Sequence, residues 1–549
     1  MDMRRLFLFL IFSFSLVLLW GAWTRQNQVP APVEAAAAST KDQSVPTIPA
    51  DLAKPADRAV VSSPVPTARV PTGEKIGVTT DIFKIEINTA GGNIQHLDLL
   101  KHKDAIDKSK PLTLLEQNGA HIYVAQSGLL GEGLPTHNAE FSAEAHNYQL
   151  ADDKDTLDVR LTALNTAEAS VTKVYTFHRG SYLVDVSYEI TNRGNKPLAP
   201  SAYFQLVRDS TPVEGSSKFV PTFTGPAIYT EQDKFQKIKF TDIEKNKVKL
   251  PVKPDNGWIG MLQHYFVSAW LPAPKGPREF YTKKLDGDEY SAGVILPIAT
   301  IEPGQTGHIS ATLYAGPAQT KLDAIAPGLG LSVDYGWLTI FSTPLFWLMS
   351  HINDWVHNWG VSIILLTMLI KLAFFPLSAA SYRSMAKMRL VAPKLENIKQ
   401  QYGDDREKLN HAMMDLYKTE KINPLGGCLP MVIQIPVFIA LYWAILSSVE
   451  LRHAPFFGWI TDLSATDPYY VLPLIMGISM LVQSKLNPLP PDPMQAKLMQ
   501  IMPIVFSVVF FFFPAGLVLY SVVNNILSIT QQWYITRGQK AAHKGGVKA

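Results

Sequence analysis

Lys371 is a lone cation in the apolar run 360–376, whose residues 361–370 carry no charge. Thr367 precedes it by four residues and so lies on the same helix face. Gln434 interrupts a second apolar run. In the last run, Tyr520, Asn524, Ser528 and Gln531 recur at i, i+4, i+8 and i+11, which makes one polar stripe. An ammonium at bilayer depth costs ~2.5–3.5 kcal/mol, and such groups face a bundle interior or a wet cavity. Two readings of Lys371 follow. It stands five residues before Pro376, about 7.5 Å along a helix axis, so its stem can snorkel to the cytoplasmic headgroups. Alternatively it faces a hydrated groove, open to the cytosol, that receives hydrophilic or acidic groups. The stripe by itself is explained by interhelical hydrogen bonding, at about 0.6 kcal/mol per contact. Thr367, Lys371, Gln434, Tyr520, Asn524 and Ser528 together are more polar than such bonding needs, and no apolar run holds an acid to pair with Lys371. An unpaired buried ammonium wants water, which favours the groove.

Other chemistry finds little support. There is no Gly-x4-Gly-Lys loop and there are no paired Cys/His ligands, so neither a nucleotide, a metal nor any other cofactor is expected, nor an enzyme activity. The single cysteine, Cys428, excludes an intramolecular disulfide and reads as a small packing residue. Charge is balanced, 50 Lys+Arg against 47 Asp+Glu, so net charge argues for no partner and DNA is not expected. His121, His137, His146 and His178 have no ligand spacing and read as surface or strand residues. Asp152, Asp153 and Asp155 form a solvated loop with Lys154.

The elements that must position the polar set are a membrane half and an extramembrane half. Residues 1–23 hold an apolar run from 6 to 23 behind Arg4 and Arg5, which predicts an uncleaved transmembrane anchor with a cytoplasmic N-terminus; a cleaved signal peptide is the rival, but the small residues Ala35–Ala38 lie too far past the run for an ordinary cleavage region. Residues 24–74 are rich in Pro, Ala, Ser and Thr and read as a flexible linker. From 75 to 320 the period is two. Phe83, Ile85 and Ile87 alternate with polar residues, as do Leu157, Val159 and Leu161; Val184, Val186, Tyr188 and Ile190; and Ile309, Ala311 and Leu313. Turn clusters separate these runs, so an antiparallel β-sandwich is expected. Its aromatics could bind sugars or peptides, but no cleft is singled out.

Residues 321–358 form an amphipathic interfacial lead-in, with Leu345, Met349, Ile352, Trp355 or Val356, and Trp359 at helical spacing. The core at 359–533 holds five expected spans, 359–377, 429–447, 469–484, 498–513 and 517–533, several of them short for a ~30 Å hydrocarbon layer. Between the first two, 383–422 reads as a pair of antiparallel helices with a stop at Gly403, a new cap at Asp404 or Asp405, and a kink at Pro393. Basic residues exceed acidic ones there, so this hairpin is expected in the cytoplasm. Met385, Met388, Met413 and Met414 suit adaptable apolar contact. The tail, 534–549, carries Arg537, Lys540, Lys544 and Lys548 without acids, which suits ribosomal RNA or anionic lipid. Six spans with both termini cytoplasmic satisfy every loop.

The motifs Asn423-Pro424-Leu425-Gly426-Gly427-Cys428, Asp492-Pro493-Met494 and Phe513-Pro514-Ala515-Gly516-Leu517-Val518-Leu519-Tyr520, with the anchor, sandwich and hairpin, closely resemble the YidC family of membrane protein insertases of Gram-negative inner membranes. The resemblance spans essentially the whole chain and is strongest over 334–538. It implies a periplasmic sandwich and five core helices around a hydrophilic groove open to cytosol and lipid. The family's groove cation is usually arginine; Lys371 takes that place, keeping the charge and losing the bidentate fork. The implied partners are nascent membrane proteins of one or two spans, which slide between the second and fourth core helices. The Sec translocon, the ribosome, the signal-recognition-particle receptor and membrane lipids complete the set. A secondary transporter is the rival, but it would want inverted repeats and intramembrane acids. An anchored periplasmic binding protein is a second.

Overall fold

The computed structural model describes residues 44–46, 73–119, 121–166, 168–213, 222–403, 405–420, 429–487 and 493–546. All of these belong to one compact unit. The anchor at 1–23, most of the linker, the 423–428 motif, Asp492 and Lys548 lie outside the described residues, as do the side chains of Lys540 and Lys544.

The period-two segments form two nine-stranded sheets. Across the first, the order is Glu279–Lys284, Glu289–Pro297, Ser201–Asp209, Ile122–Leu130, Pro111–Gln117, Asn93–Lys103, Phe83–Asn88, Lys75–Thr79 and Asn147–Gln149. Across the second it is Lys234–Lys237, Gly225–Thr230, Trp258–Gln263, Phe266–Pro272, Thr306–Pro317, Leu183–Asn192, Ala169–His178, Thr156–Ala163 and Phe141–Ala143. Pairing is antiparallel except between Lys75–Thr79 and Asn147–Gln149. The alternating residues meet between the sheets: Phe83, Ile85, Ile87, Val186, Tyr188 and Leu313 are all buried in one cluster. Leu157 and Ile309 sit at its margin.

Two polar residues depart from the expected pattern. Lys173 is fully buried and donates to the Gly92 carbonyl at 2.7 Å, beneath the rings of Tyr175 and Tyr188. His137, expected at the surface or on a strand, is instead a buried loop residue held by Tyr203.

The sandwich is not joined to the helical half by a strand end alone. A second apolar cluster runs from Trp258, Leu262, Val267 and Tyr314 into Tyr335, Met349, Leu451 and Ala454. His264 Nε2 lies 2.9 Å from the Leu446 carbonyl, and Lys237 pairs with Asp334 at 2.6 Å.

Apart from a short helix at Phe240–Glu244 in the sandwich, the helices are α1 (Thr339–Val356), α2 (Trp359–Ala373), α3 (Phe375–Tyr402), α4 (Arg406–Thr419), α5 (Leu429–Ser447), α6 (Val471–Leu486), α7 (Pro493–Phe510) and α8 (Ala515–Gly546). Three short 3₁₀ turns between 320 and 338 lead into α1. Met349 is buried with Leu345 and Ile352 beside it, whereas Trp355 is 90% exposed, so Val356 completes the inward stripe. Ile340, Phe341 and Trp347 leave a second apolar face uncovered.

The first expected span ends early. Asn358 caps α2 by accepting the Val361 N–H at 3.1 Å, and the helix stops at Ala373 rather than at Pro376. Pro376 instead sits in the first turn of α3, where a missing N–H costs no hydrogen bond. The two axes bend by 67°. Helix α3 continues through Pro393 without a break. Asp405 caps α4 by accepting the Glu407 and Lys408 N–H groups. Val391 and Leu395 of α3 then pack with Met388, Met413, Leu416 and Tyr417, giving the expected hairpin. By length and composition, no single helix among the described residues is long and apolar enough to cross a membrane, and the α2–α3 pair qualifies only jointly.

Candidate substrate groove

Helix α8 is polar on two sides, and the two sides do different work. On one, Asn525 Nδ2 donates to Ser479 Oγ of α6 at 3.1 Å, and Gln532 Nε2 donates to the Leu486 carbonyl and to Asn487 Oδ1. These groups are buried and hold α8 to α6. The other side carries Tyr520, Asn524 and Ser528 and turns toward α2 and α5.

Lys371 reaches across to that second side. Its Nζ donates to Ser528 Oγ at 2.7 Å, and Ser528 in turn donates to the Asn524 carbonyl at 2.7 Å. The ammonium therefore bonds to α8 rather than extending past the end of α2. Beside it is a recess with about 350 Å³ of empty space, part of it open to solvent. Lys371, Gln434, Asn524 and Ser378 supply its polar lining, and Ile370, Phe374, Leu377 and Val437 its apolar walls. Among the described residues no carboxylate pairs with Lys371. The site thus offers one positive charge, two amides and a hydroxyl on a greasy wall. That set can receive a hydrated or acidic segment, but it holds no nucleophile–base pair. No cluster of His, Cys, Asp and Glu able to hold a metal occurs among the described residues.

The six residues expected at the groove are therefore not equivalent. Lys371, Gln434 and Asn524 line the recess, and Ser528 anchors the ammonium. Tyr520 is buried behind them against Phe438, its hydroxyl lacking a hydrogen bond of good geometry, with Gln434 as its polar neighbour. Thr367 is not at the recess: it is buried, and its hydroxyl donates to the Ile363 carbonyl of its own helix at 2.6 Å. Gln531 lies farther along and donates to the Phe375 carbonyl at 3.4 Å. Ser378 had no signal in the sequence because it lies beyond the α2–α3 break, on a helix whose start the apolar run does not mark. Of the hairpin methionines, Met388 and Met413 fill the seam between α3 and α4, Met385 is half-buried and Met414 is exposed.

Two family models cover nearly all of the described chain: the YidC periplasmic domain over residues 75–348, and the 60Kd inner membrane protein over 351–543. Curated relatives match along their whole length. The membrane protein insertase YidC of Nitrosospira multiformis is 55% identical over 554 residues, covering 98% of this chain and 97% of its own. That of Methylobacillus flagellatus is 56% identical over 547 residues, with 99% and 98% covered. The chain belongs to the YidC family. Among solved structures, a YidC insertase crystal structure with its first transmembrane domain resolved matches at a TM-score of 0.38 and 18% identity, covering 85% of this chain and 93% of that one. Within the YidC periplasmic match falls the whole two-sheet sandwich, and within the inner-membrane match fall all the groove residues.

Proposed function

We propose that the chain is a membrane protein insertase that receives the hydrophilic end of a nascent segment in the recess at Lys371, while the apolar part of that segment enters the bilayer. The observation that carries this is the Lys371–Ser528 bond beside a partly open recess of mixed lining without an acid. An ammonium held there shortens the dry path that polar groups must cross and attracts acidic ones. The apolar exit lies along α5 and α7, the second and fourth core helices, where Ile435, Ile501, Ile504, Val505 and Val508 stand exposed.

In this reading the protein sits in the bacterial inner membrane with six spans. Both termini are cytoplasmic, residues from about 24 to 342 are periplasmic, and the α3–α4 hairpin and basic tail face arriving ribosomes. The Sec translocon, the signal-recognition-particle receptor and anionic lipids are the further partners that the family resemblance implies. Substrate hydrophobicity and the membrane potential, worth about 2.3 kcal/mol per charge per 100 mV, supply the driving force. Reconstitution of the purified chain into protein-free liposomes tests the function. An insertase renders a small single-span protein protease-resistant. Transport of a solute without protection of the protein would instead favour the secondary-transporter reading.

A further inference from the structure

The outer face of the first sheet carries a buried polar network that the insertase reading does not use. Register places Gln126, Gln205, Gly293 and Tyr281 in one row across four strands, and Gly128, Tyr203 and Ile295 in the next. The rows are two residues apart and so share a face. Glycine is needed at two of these points. A Cβ on Gly128 would come within 2.5 Å of the Tyr203 hydroxyl, and one on Gly293 within 2.5 Å of the Tyr281 hydroxyl. Both rings can therefore lean over the neighbouring strand.

A hydrogen-bonded network fixes the floor. Gln205 Nε2 donates to Gln126 Oε1 at 2.8 Å, and the Tyr281 hydroxyl donates to Gln205 Oε1 at 2.7 Å. His137 closes one end, with Nδ1 2.6 Å from the Tyr203 oxygen and its backbone N–H donating to the same atom at 3.0 Å. Tyr203 and Gln205 are 0% exposed and His137 is 3% exposed, on a face that points away from the inter-sheet core. The chain itself contributes to the cover. Ser44 Oγ lies 2.8 Å from His137 Nε2, and the Ser44 carbonyl accepts from Gln205 Nε2 at 3.2 Å. Val45 packs against the apolar cluster formed by Leu130, Tyr203 and Ile295. One main-chain carbonyl, one hydroxyl and one β-branched side chain are thus recognised together, which is how a short peptide is read.

We propose that this network is a peptide-binding site that holds Ser44-Val45-Pro46 of the chain's own linker as a clasp. Its ligand class is a short peptide with a hydroxyl residue followed by a β-branched one. The clasp divides the linker. The 21 residue steps from Trp23 to Ser44 reach at most about 70 Å, whereas the 52 steps to Lys75 reach about 180 Å when the clasp is released. Docking thus shortens the leash between the expected anchor and the sandwich, a role independent of the groove at Lys371.

A fluorescein-labelled peptide spanning residues 41–50, titrated against the full chain in detergent micelles by anisotropy, tests this. A tethered segment competes at an effective concentration on the millimolar scale, so the unaltered chain should bind the free peptide poorly. Val45→Asp in the chain should release the clasp and raise apparent affinity for the labelled peptide about tenfold or more. The double variant Val45→Asp with Gln205→Leu should lose that gain, and a peptide carrying aspartate in place of the valine should not bind. Equal peptide binding by the unaltered and Val45→Asp chains, or equal binding of the two peptides, overturns the proposal. A second readout does not depend on peptide binding. In a Cys428→Ser background, Val45→Cys with Ile295→Cys should form a disulfide within one chain on mild oxidation. Absence of that disulfide in a double variant that melts like the unaltered chain overturns it too.

Discussion

Replacing Lys371 with leucine removes the one charge among the described residues that line the recess. The lost contact is a charge-assisted hydrogen bond to Ser528 at 2.7 Å, a class worth about 1.5–3 kcal/mol. Ser528 keeps its bond to the Asn524 carbonyl, so no polar atom is orphaned, and the cost of holding an ammonium at depth disappears. Stability should therefore be unchanged or slightly higher. Function should suffer selectively. A substrate carboxylate ~4 Å from an ammonium at an effective dielectric of ~20 gains about 4 kcal/mol. Solvent in a partly open recess cuts that to roughly half, or about 30-fold in occupancy. The assay is insertion of single-span substrates with acidic or neutral translocated ends into proteoliposomes, scored by protease protection. Lys371→Leu should slow the acidic substrate by about 30-fold and the neutral one far less. Lys371→Arg should be tolerated, and Lys371→Glu should be worse than leucine on acidic ends. Equal rates for both substrates in the leucine variant would refute the electrostatic account.

Other outcomes follow from the extramembrane half. Burial, with the positive charge of Arg452 and His453 nearby, pushes His102 down to about 4. Its folded state stays neutral where the unfolded chain takes up a proton, so stability should fall as pH drops from about 6.5 towards 4, by at most ~1.4 kcal/mol per pH unit. His102→Gln should flatten that slope in pH-dependent thermal melts, and an unchanged slope would count against the assignment. Among the described residues no carboxylate pairs with Lys173, and burial pushes its pKa well below the usual lysine value. Because Tyr175 still donates to the Gly92 carbonyl, Lys173→Met should cost less than about 1 kcal/mol, whereas Lys173→Ala should cost about 2–4 through its cavity; equal losses in denaturant titrations would sink this. Deleting residues 75–320 while keeping 321–358 should leave insertion largely intact but lower the melting temperature of the helical half. The reason is that Leu451 and Ala454 lose the cover of Val267 and Tyr314; abolished insertion in a folded deletion would contradict it.

Strands such as Leu183–Asn192 were readable because only one face is fully buried and apolar residues must alternate, whereas Ser201–Asp209, buried on both faces, shows no such alternation. The hairpin was readable because Asp405 and the Val391–Leu395 spacing are local signals. What could not be read were relations between distant segments. Thr367 shares a helix face with Lys371, but in an apolar setting its hydroxyl bonds to its own backbone at Ile363, which periodicity cannot report. Pro376, at the end of an apolar run, reads as a helix stop, whereas it sits in the first turn of α3, where its missing N–H costs no hydrogen bond. The network around Gln205 depends on Gly128 and Gly293 lying beside tyrosines from neighbouring strands, a cross-strand register that no single segment encodes.

Passage of nascent segments through the Lys371 recess can be followed by site-specific photocrosslinking. A photoreactive residue is placed at Asn524, which lines the recess, or at Trp355, which is 90% exposed on α1, and an insertion intermediate of a single-span substrate is stalled on the ribosome. Adducts should form from position 524 at the substrate's hydrophilic end and be weak from position 355. Equal adducts from both positions, or none from 524 while insertion proceeds, would mean that segments take another route.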